Sequence, residues 1–406
     1  MKKALRYGIA LASLVLLGSM AFAQVTIVMP SVSFPTDSAD TTQNDIAAAL
    51  NAQFANTESG TFADAITGMT STINGQLGKF DKQEKLALGF GNATAYAGQG
   101  ATMQGYQGYK LFSVMAGGIA GFQLPSMNID EIAEIPGSMM KESDVYAGIA
   151  GAVPVFNIGI NAETVFGLIG LGDVFNNMYF NLKFGGGKIN ENFTFESKKY
   201  AVDIESFTLG MGVNYQLLPS IGLLGGFVRW RGINLGAGLT IQNSSFVISL
   251  PFDTMSESVS VPVTVDSNTY TATGTMEAVP TVRVGSTVTT FTIPLEATTS
   301  IQTLWLFNVN FGLGADFVFG NSDVVAEATS PINLGLAVDG MASLSPTITP
   351  GSVKLDLGTR GISPSLTRMR IMAGLGNNFG PLKLDVPLYY YLNSGFAIGM
   401  TLGVVW

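Results

Sequence analysis

The sequence has 406 residues, of which 47% are apolar and 12% charged, and a mean hydropathy of +0.35, whereas a soluble domain carries about 25% charged residues. Its net charge of −9 speaks against nucleic acid as a partner, because phosphate binding needs a basic stripe. With no histidine and no cysteine, it lacks Ser-His-Asp and Cys-His chemistry, histidine-ligated metals, disulfides and the acylated cysteine of a bacterial lipoprotein, so no catalytic residue, cofactor or metal site is expected and the chain reads as a non-enzyme.

Residues 1–23 read as a secretory signal. Lys2, Lys3 and Arg6 form the positive start, Ile9 to Leu17 the apolar stretch, and Ala21-Phe22-Ala23 a small-x-small cleavage site, which predicts a mature chain from Gln24. Residues 24–105 carry helical spacing rather than strand alternation. Ile46, Leu50 and Phe54 recur four apart behind candidate caps at Thr42 and Asp45. Phe62, Ile66, Met69, Ile73, Leu77 and Phe80 follow at spacings of three and four, the face of an amphipathic helix. A Gly- and Ala-rich stretch, Gly89 to Tyr109, ends the segment and matches no phosphate-binding glycine pattern. Two readings of this segment stay open: a plug inside a barrel, or a cap on its periplasmic mouth.

From residue 106 onward strand patterns dominate. No stretch after the signal is a clean apolar run of about 20 residues; the best, Val145 to Gly172, is broken by Pro154, Asn157, Asn161 and Glu163. High apolar content without long runs is what a lipid-facing barrel gives, since only every second residue meets lipid. The final segment shows it most clearly: Phe396, Ile398, Met400, Leu402, Val404 and Trp406 share one face, and Ala397, Gly399, Thr401 and Gly403 the other. The same alternation recurs in Phe156–Asn161, Phe180–Gly185, Phe207–Tyr215 and Trp305–Val318. Near Arg231 the apolar parity switches from even to odd, the mark of a tight turn or a bulge. A soluble sandwich also alternates, but its outer face is charged or polar. The expected fold is all-β: a transmembrane antiparallel barrel of about 14 strands (12–16) over residues 106–406, with a partly helical N-terminal plug or cap. Residues 253–288, rich in Ser, Thr and Val, read as a long extracellular loop with its own hairpin, and Leu124–Ser143 and Ser343–Ser365 as further loops.

If large apolar residues face lipid, parity turns certain charges inward. Arg368 and Arg370 oppose Met369 and Ile371, and Lys383 and Asp385 oppose Leu384 and Val386; Lys183, Arg229 and Asp316 join them as lumen-facing candidates. They form either a charged ladder for a passing solute or a paired network that holds the plug. Tyr389, Tyr390 and Tyr391 read as an interfacial girdle. Phe396 and Trp406 mark the terminal strand and look like the signal that such proteins present to the barrel assembly machinery.

The layout of signal, helical segment and strand-rich remainder, with LALGFGNATAYAGQGATM as a small-residue entry into the barrel, resembles the FadL-like transporters of hydrophobic compounds. That family's Asn-Pro-Ala signature near the mature N-terminus is absent. The resemblance implies a plugged barrel in the cell outer membrane, surrounded by outer-membrane lipid, that passes small or hydrophobic solutes. The alternative is a surface structural or adhesion protein that displays residues 253–288.

Overall fold

The computed structural model describes residues 24–28, 30–55, 68, 83–99, 109–124, 148–195, 198–251, 254–341, 344–356, 358–392 and 394–406. The signal segment and the helix face Phe62, Ile66, Met69, Ile73, Leu77 and Phe80 lie outside these residues, as does most of Leu124–Ser143.

The N-terminal part contributes β1 (Gln24–Val28), β2 (Ser31–Ser33), α1 (Thr41–Ala55) and α2 (Gln83–Ala97). Next come β3 (Phe112–Gln123), β4 (Gly148–Asn161), the short α3 (Ala162–Gly167), β5 (Met178–Phe195), β6 (Lys198–Leu218), β7 (Ile221–Leu223) and β8 (Val228–Pro251). A hairpin of β9 (Met255–Val265) and β10 (Asn268–Ala278) leads to β11 (Thr281–Thr303) and β12 (Phe307–Val338). The chain ends with β13 (Thr347–Thr349), β14 (Gly351–Asp356), β15 (Thr359–Ile362), β16 (Thr367–Phe379), β17 (Leu382–Tyr391) and β18 (Gly395–Val405).

Ten strands close on themselves. The order β12-β11-β8-β6-β5-β4-β3-β18-β17-β16 returns to β12 through the antiparallel β12–β16 pairing, from Phe307↔Asn377 to Phe317↔Thr367. The barrel is as expected, but its ring has ten strands rather than about fourteen. The expected count is too high because three of these strands each carry more than one alternating run. β4 takes two runs, β8 three and β12 two. The parity switch at Arg231 is a bulge, not a turn: against β11 the register slips between Thr299 and Ile301, where Arg231 and Gly232 together face one residue, and β6 has its own slip close by, between Gln216 and Leu218 opposite Ile233 and Asn234. The 253–288 segment is likewise only partly loop. Met255 to Ala278 is the expected hairpin, turning at Asp266 and Ser267 with positive φ at both, but Thr281 onward is already β11. Ser343–Ser365 holds β13, β14 and β15.

Polarity is inverted around the ring. On the outer face Phe207, Leu209, Leu235, Leu239, Phe311, Leu313, Met369, Leu375, Met400 and Leu402 are exposed. On the inner face Asn181, Asn214, Asn234, Thr240, Thr298, Asn308, Asn310 and Thr401 are buried. Beyond the ring the pattern reverses within single strands. The even residues of β12 face inward along its whole length, most of them buried, yet they change from Asn308, Asn310 and Asp316 to Val324, Ala326, Ala328, Ile332 and Leu334. Its odd residues change from Phe307, Val309, Phe311, Leu313, Phe317 and Phe319 to Asn321, Asp323, Glu327, Thr329 and Asn333. The switch is level across neighbours: Phe319 pairs with Phe291, which pairs with Ile241, and one step further Asn321 pairs with Thr289, which pairs with Asn243.

Past that level the sheet encloses an ordinary apolar core. Ile46, Leu50 and Phe54 of α1, with Phe34, pack against Val282, Val284, Val324, Ile332, Val353 and Leu355. The expected periodicity of α1 is therefore correct, although its start is capped by Asp40, whose side chain accepts from Thr42 N at 3.0 Å. Asn51 fixes the approach of Phe34, accepting from its N–H at 2.7 Å and donating to its carbonyl at 3.0 Å.

Candidate functional site: the helix in the lumen

α2 passes from the extended sheet into the ring. Its first turns, Leu86, Ala87 and Phe90, belong to the apolar core around α1. Its last turns, Ala93, Tyr96 and Ala97, pack among Ile119, Ala150, Val155, Met372, Tyr389, Tyr391 and Ala397 of five ring strands. Small residues make this passage geometrically feasible. A Cβ on Gly121 of β3 would collide with the Ala93 carbonyl oxygen and crowd the Ala97 nitrogen, so helix and barrel wall approach backbone to backbone.

Polar contacts fix the helix end. Lys183 Nζ on β5 donates to the carbonyl oxygens of Gly98 (3.0 Å) and Gln99 (2.7 Å), which follow the last turn. A cation there satisfies orphan carbonyls and complements the helix dipole. Arg370 lies at the centre of the inner face, 2% exposed. It pairs with Asp316, with Glu296 at 2.8 Å, and with Gln99 Oε1 at 3.0 Å. Gln99 also donates to Asp316 at 3.0 Å. Arg368 bonds the Asn92 side chain and sits 4.8 Å from the centre of the Tyr96 ring, which stacks on Tyr391 at 3.8 Å. Gln123 Oε1 accepts from Asn92 at 2.9 Å and from Tyr96 at 2.9 Å. Beside the helix end, between Gln99, Lys183, Asn214 and Glu296, remains a cavity of about 30 Å³, room for about one water.

Of the seven inward candidates, six are buried on the inner face: Lys183, Asp316, Arg368, Arg370, Lys383 and Asp385. Four of these, Lys183, Asp316, Arg368 and Arg370, meet α2 or Gly98 and Gln99 just beyond it. Lys383 and Asp385 lie on β17 opposite Gly403 and Thr401 of β18, and Asp385 accepts from Asn310 at 3.4 Å. Arg229 does not join the network. It is exposed and lines a separate cavity of about 490 Å³ at the end of the ring where Trp406 lies. Tyr389 and Tyr391 are buried against α2 instead of forming a girdle; Tyr390 alone of the three faces outward. Glu296 escaped the sequence reading, yet its parity against Leu295 and Ala297 marks it as inward. Asn92, Tyr96 and Gln99 carried no signal, since their partners are remote in sequence. Trp406 closes the ring: its carbonyl accepts from Lys110 N and Leu111 N, and its N–H donates to Phe112 O at 2.9 Å. Among the described residues, no group of three or more acidic residues could hold a metal ion, and no helix is long and apolar enough to cross a membrane.

Fold and site define a closed β-barrel with an apolar outer girdle, a polar inner wall and a helix held inside it. The chain belongs to the Lsa36-like family, which it matches over residues 23–406. No curated protein matches it. Among solved structures it is similar to the toluene transporter TodX of Pseudomonas putida, at 7% identity and a TM-score of 0.25 over 77% of this chain and 99% of that one. The CymD monoaromatic hydrocarbon channel matches at 10% identity and a TM-score of 0.23, over 79% of this chain and 98% of that one. The translocator domain of the autotransporter NalP from Neisseria meningitidis matches at 10% identity and 0.28, over 84% and 98%. At such scores the likeness carries no argument, and the barrel rests on its own hydrogen-bonded ring.

Proposed function

We propose that the protein spans the bacterial outer membrane as a channel closed at rest by α2, which passes small or hydrophobic solutes when that helix shifts. The observation that carries the membrane reading is the inverted polarity of the ring, apolar outside and polar within, which only a lipid surround makes favourable. The closure follows from the packing of α2: its last turns lie among side chains of five ring strands, and Gly98 and Gln99 just beyond it are held by hydrogen bonds from the wall. Orientation follows from the connections. At the Trp406 end the turns Leu304–Leu306 and Gly380–Pro381 are short and the longest connection is the one through α3 between β4 and β5, whereas the three longest connections of the ring, between β3 and β4, β8 and β11, and β12 and β16, lie at the other end. Short turns are periplasmic and long loops external in such barrels.

A second reading is favoured by the polarity switch at Phe319. The strands continue beyond the girdle and build a water-facing sheet with its own core, so the barrel serves as the anchor of a displayed surface module. Planar-bilayer conductance separates the two. Conductance steps from Gly121→Val protein, shown to be folded by heat-modifiable gel mobility, support the channel. Silence from that protein, together with accessibility on intact cells of an epitope placed in the Asp266–Ser267 turn, would favour display.

A further inference from the structure

The cavity at the Trp406 end of the ring is lined by three cations, Arg229, Arg231 and Lys110, and by no carboxylate. From this we propose that it is a binding site for a phosphate group, carried either by a phospholipid headgroup or by a free phosphorylated solute. Its volume is about 490 Å³, and Tyr109, Tyr179 and Gln216 complete the polar wall.

The bulge is what brings the arginines there. Gly232 has φ 80°, and the register slips beside it on both neighbouring strands. The inserted residue shifts parity, so Arg229 and Arg231 share the inner face with Asn234, whereas an unbroken strand would align them with the outward Ile233 and Leu235. Their surroundings differ from those of the other inner cations. Lys183 has two carbonyls, Arg368 has Asn92, and Arg370 has two carboxylates. Arg229, Arg231 and Lys110 are in none of the ion pairs among the described residues. Arg231 stands close enough to Arg229 and to Lys383 to be repelled by both, with Tyr179 and, beside Lys383, Asp385 as the opposing groups. Like charges gathered in a partly enclosed space favour a counter-anion. Two guanidinium forks and an ammonium offer more donors than a carboxylate's two oxygens can accept, and they match the several oxygens of phosphate.

The test uses the full mature protein folded in detergent, titrated by calorimetry with inorganic phosphate and, separately, with dihexanoyl phosphatidylglycerol below its micelle concentration. Saturable binding is expected for at least one. Tighter binding of the lipid assigns the site to a headgroup, and equal or tighter binding of inorganic phosphate to a free solute. The Kd should rise at least tenfold in the R229Q/R231Q double variant and severalfold in Lys110→Gln, whose exposed side chain can be changed without disturbing the wall. Heat-modifiable mobility checks folding, and if the double variant fails it, Lys110→Gln decides. No saturable binding of either probe to the folded wild-type protein, or an unchanged Kd in the folded variants, would overturn the proposal.

Discussion

Lys183, on a barrel strand, donates to the carbonyl oxygen of Gln99 at 2.7 Å, so the barrel wall itself supplies the cation that ends the lumen helix. Hydrogen bonds to charged groups contribute about 1.5–3 kcal/mol, and a buried carbonyl left without a partner costs about as much. Lys183→Met should therefore loosen α2 while leaving the ring closed. Because the chain has no cysteine, Thr94→Cys offers a clean reporter at a buried helix position. Its maleimide labelling should be at least ten times faster with Lys183→Met than without. Equal rates would show that the lysine does not hold the helix.

Arg370 faces two carboxylates, so its removal differs from removal of either partner. Arg370→Met leaves Asp316 and Glu296 together on the inner wall without their cation, and breaking a buried pair this way costs about 3–5 kcal/mol. Asp316→Asn leaves Arg370 paired with Glu296 and should cost less, about 1.5–3 kcal/mol. Urea unfolding in lipid vesicles measures both. Equal costs would mean that Glu296, which is partly exposed, contributes nothing to the network.

The ring was legible in the sequence because lipid-type residues must fill one face of every strand; the alternation from Phe396 to Trp406 alone locates β18. The strand count was not legible, for the same physical reason. Apolar parity flips wherever a bulge inserts a residue, and also wherever a strand leaves the apolar girdle and enters the extended sheet. Both resemble a turn. β8 flips twice, at Arg231 and again between Ile241 and Phe246, and reads as three strands. β12 flips once past Phe319 and reads as two. β4 is interrupted by its own register slip, opposite Gly117 and Ile119. The helical state of α2 was hidden by Gly89 and Gly91, poor helix formers in a helix made of small residues that fit inside the ring. Parity turned Lys183, Asp316, Arg368, Arg370, Lys383 and Asp385 toward the buried face but missed Glu296, whereas their partners on and after α2 are set by packing alone.

The position of the polarity switch on β12 can be tested with two arginines on the same outer face. Leu313, 63% exposed, lies in the apolar girdle. Asn333 lies beyond the switch, in register with Glu277 of β10. Leu313→Arg should destabilise the barrel in vesicles by about 2–4 kcal/mol. Asn333→Arg should stay within about 0.5 kcal/mol of wild type, as surface substitutions do. Similar costs at the two positions would place both in one environment and remove the basis for a membrane boundary at Phe319.

Gly121 is the position from which the helix can be displaced without touching a charge. A side chain there would strike the Ala93 carbonyl oxygen and crowd the Ala97 nitrogen, whereas at Gly335, on the extended sheet, a Cβ meets nothing nearer than 4.0 Å. Overpacking costs about 1–3 kcal/mol where neighbours must move, and the neighbour able to move is α2, because the Gly121 strand is pinned in the ring by pairing to both β18 and β4. Gly121→Val should raise Thr94→Cys labelling at least tenfold and Gly335→Val should not. Combined with bilayer recording, the outcome bears on function. Fast labelling with conductance steps means that the ten-strand lumen conducts once the helix leaves. Fast labelling with silence means that the vacated lumen does not conduct, and it moves the protein's activity to the sheet beyond Phe319.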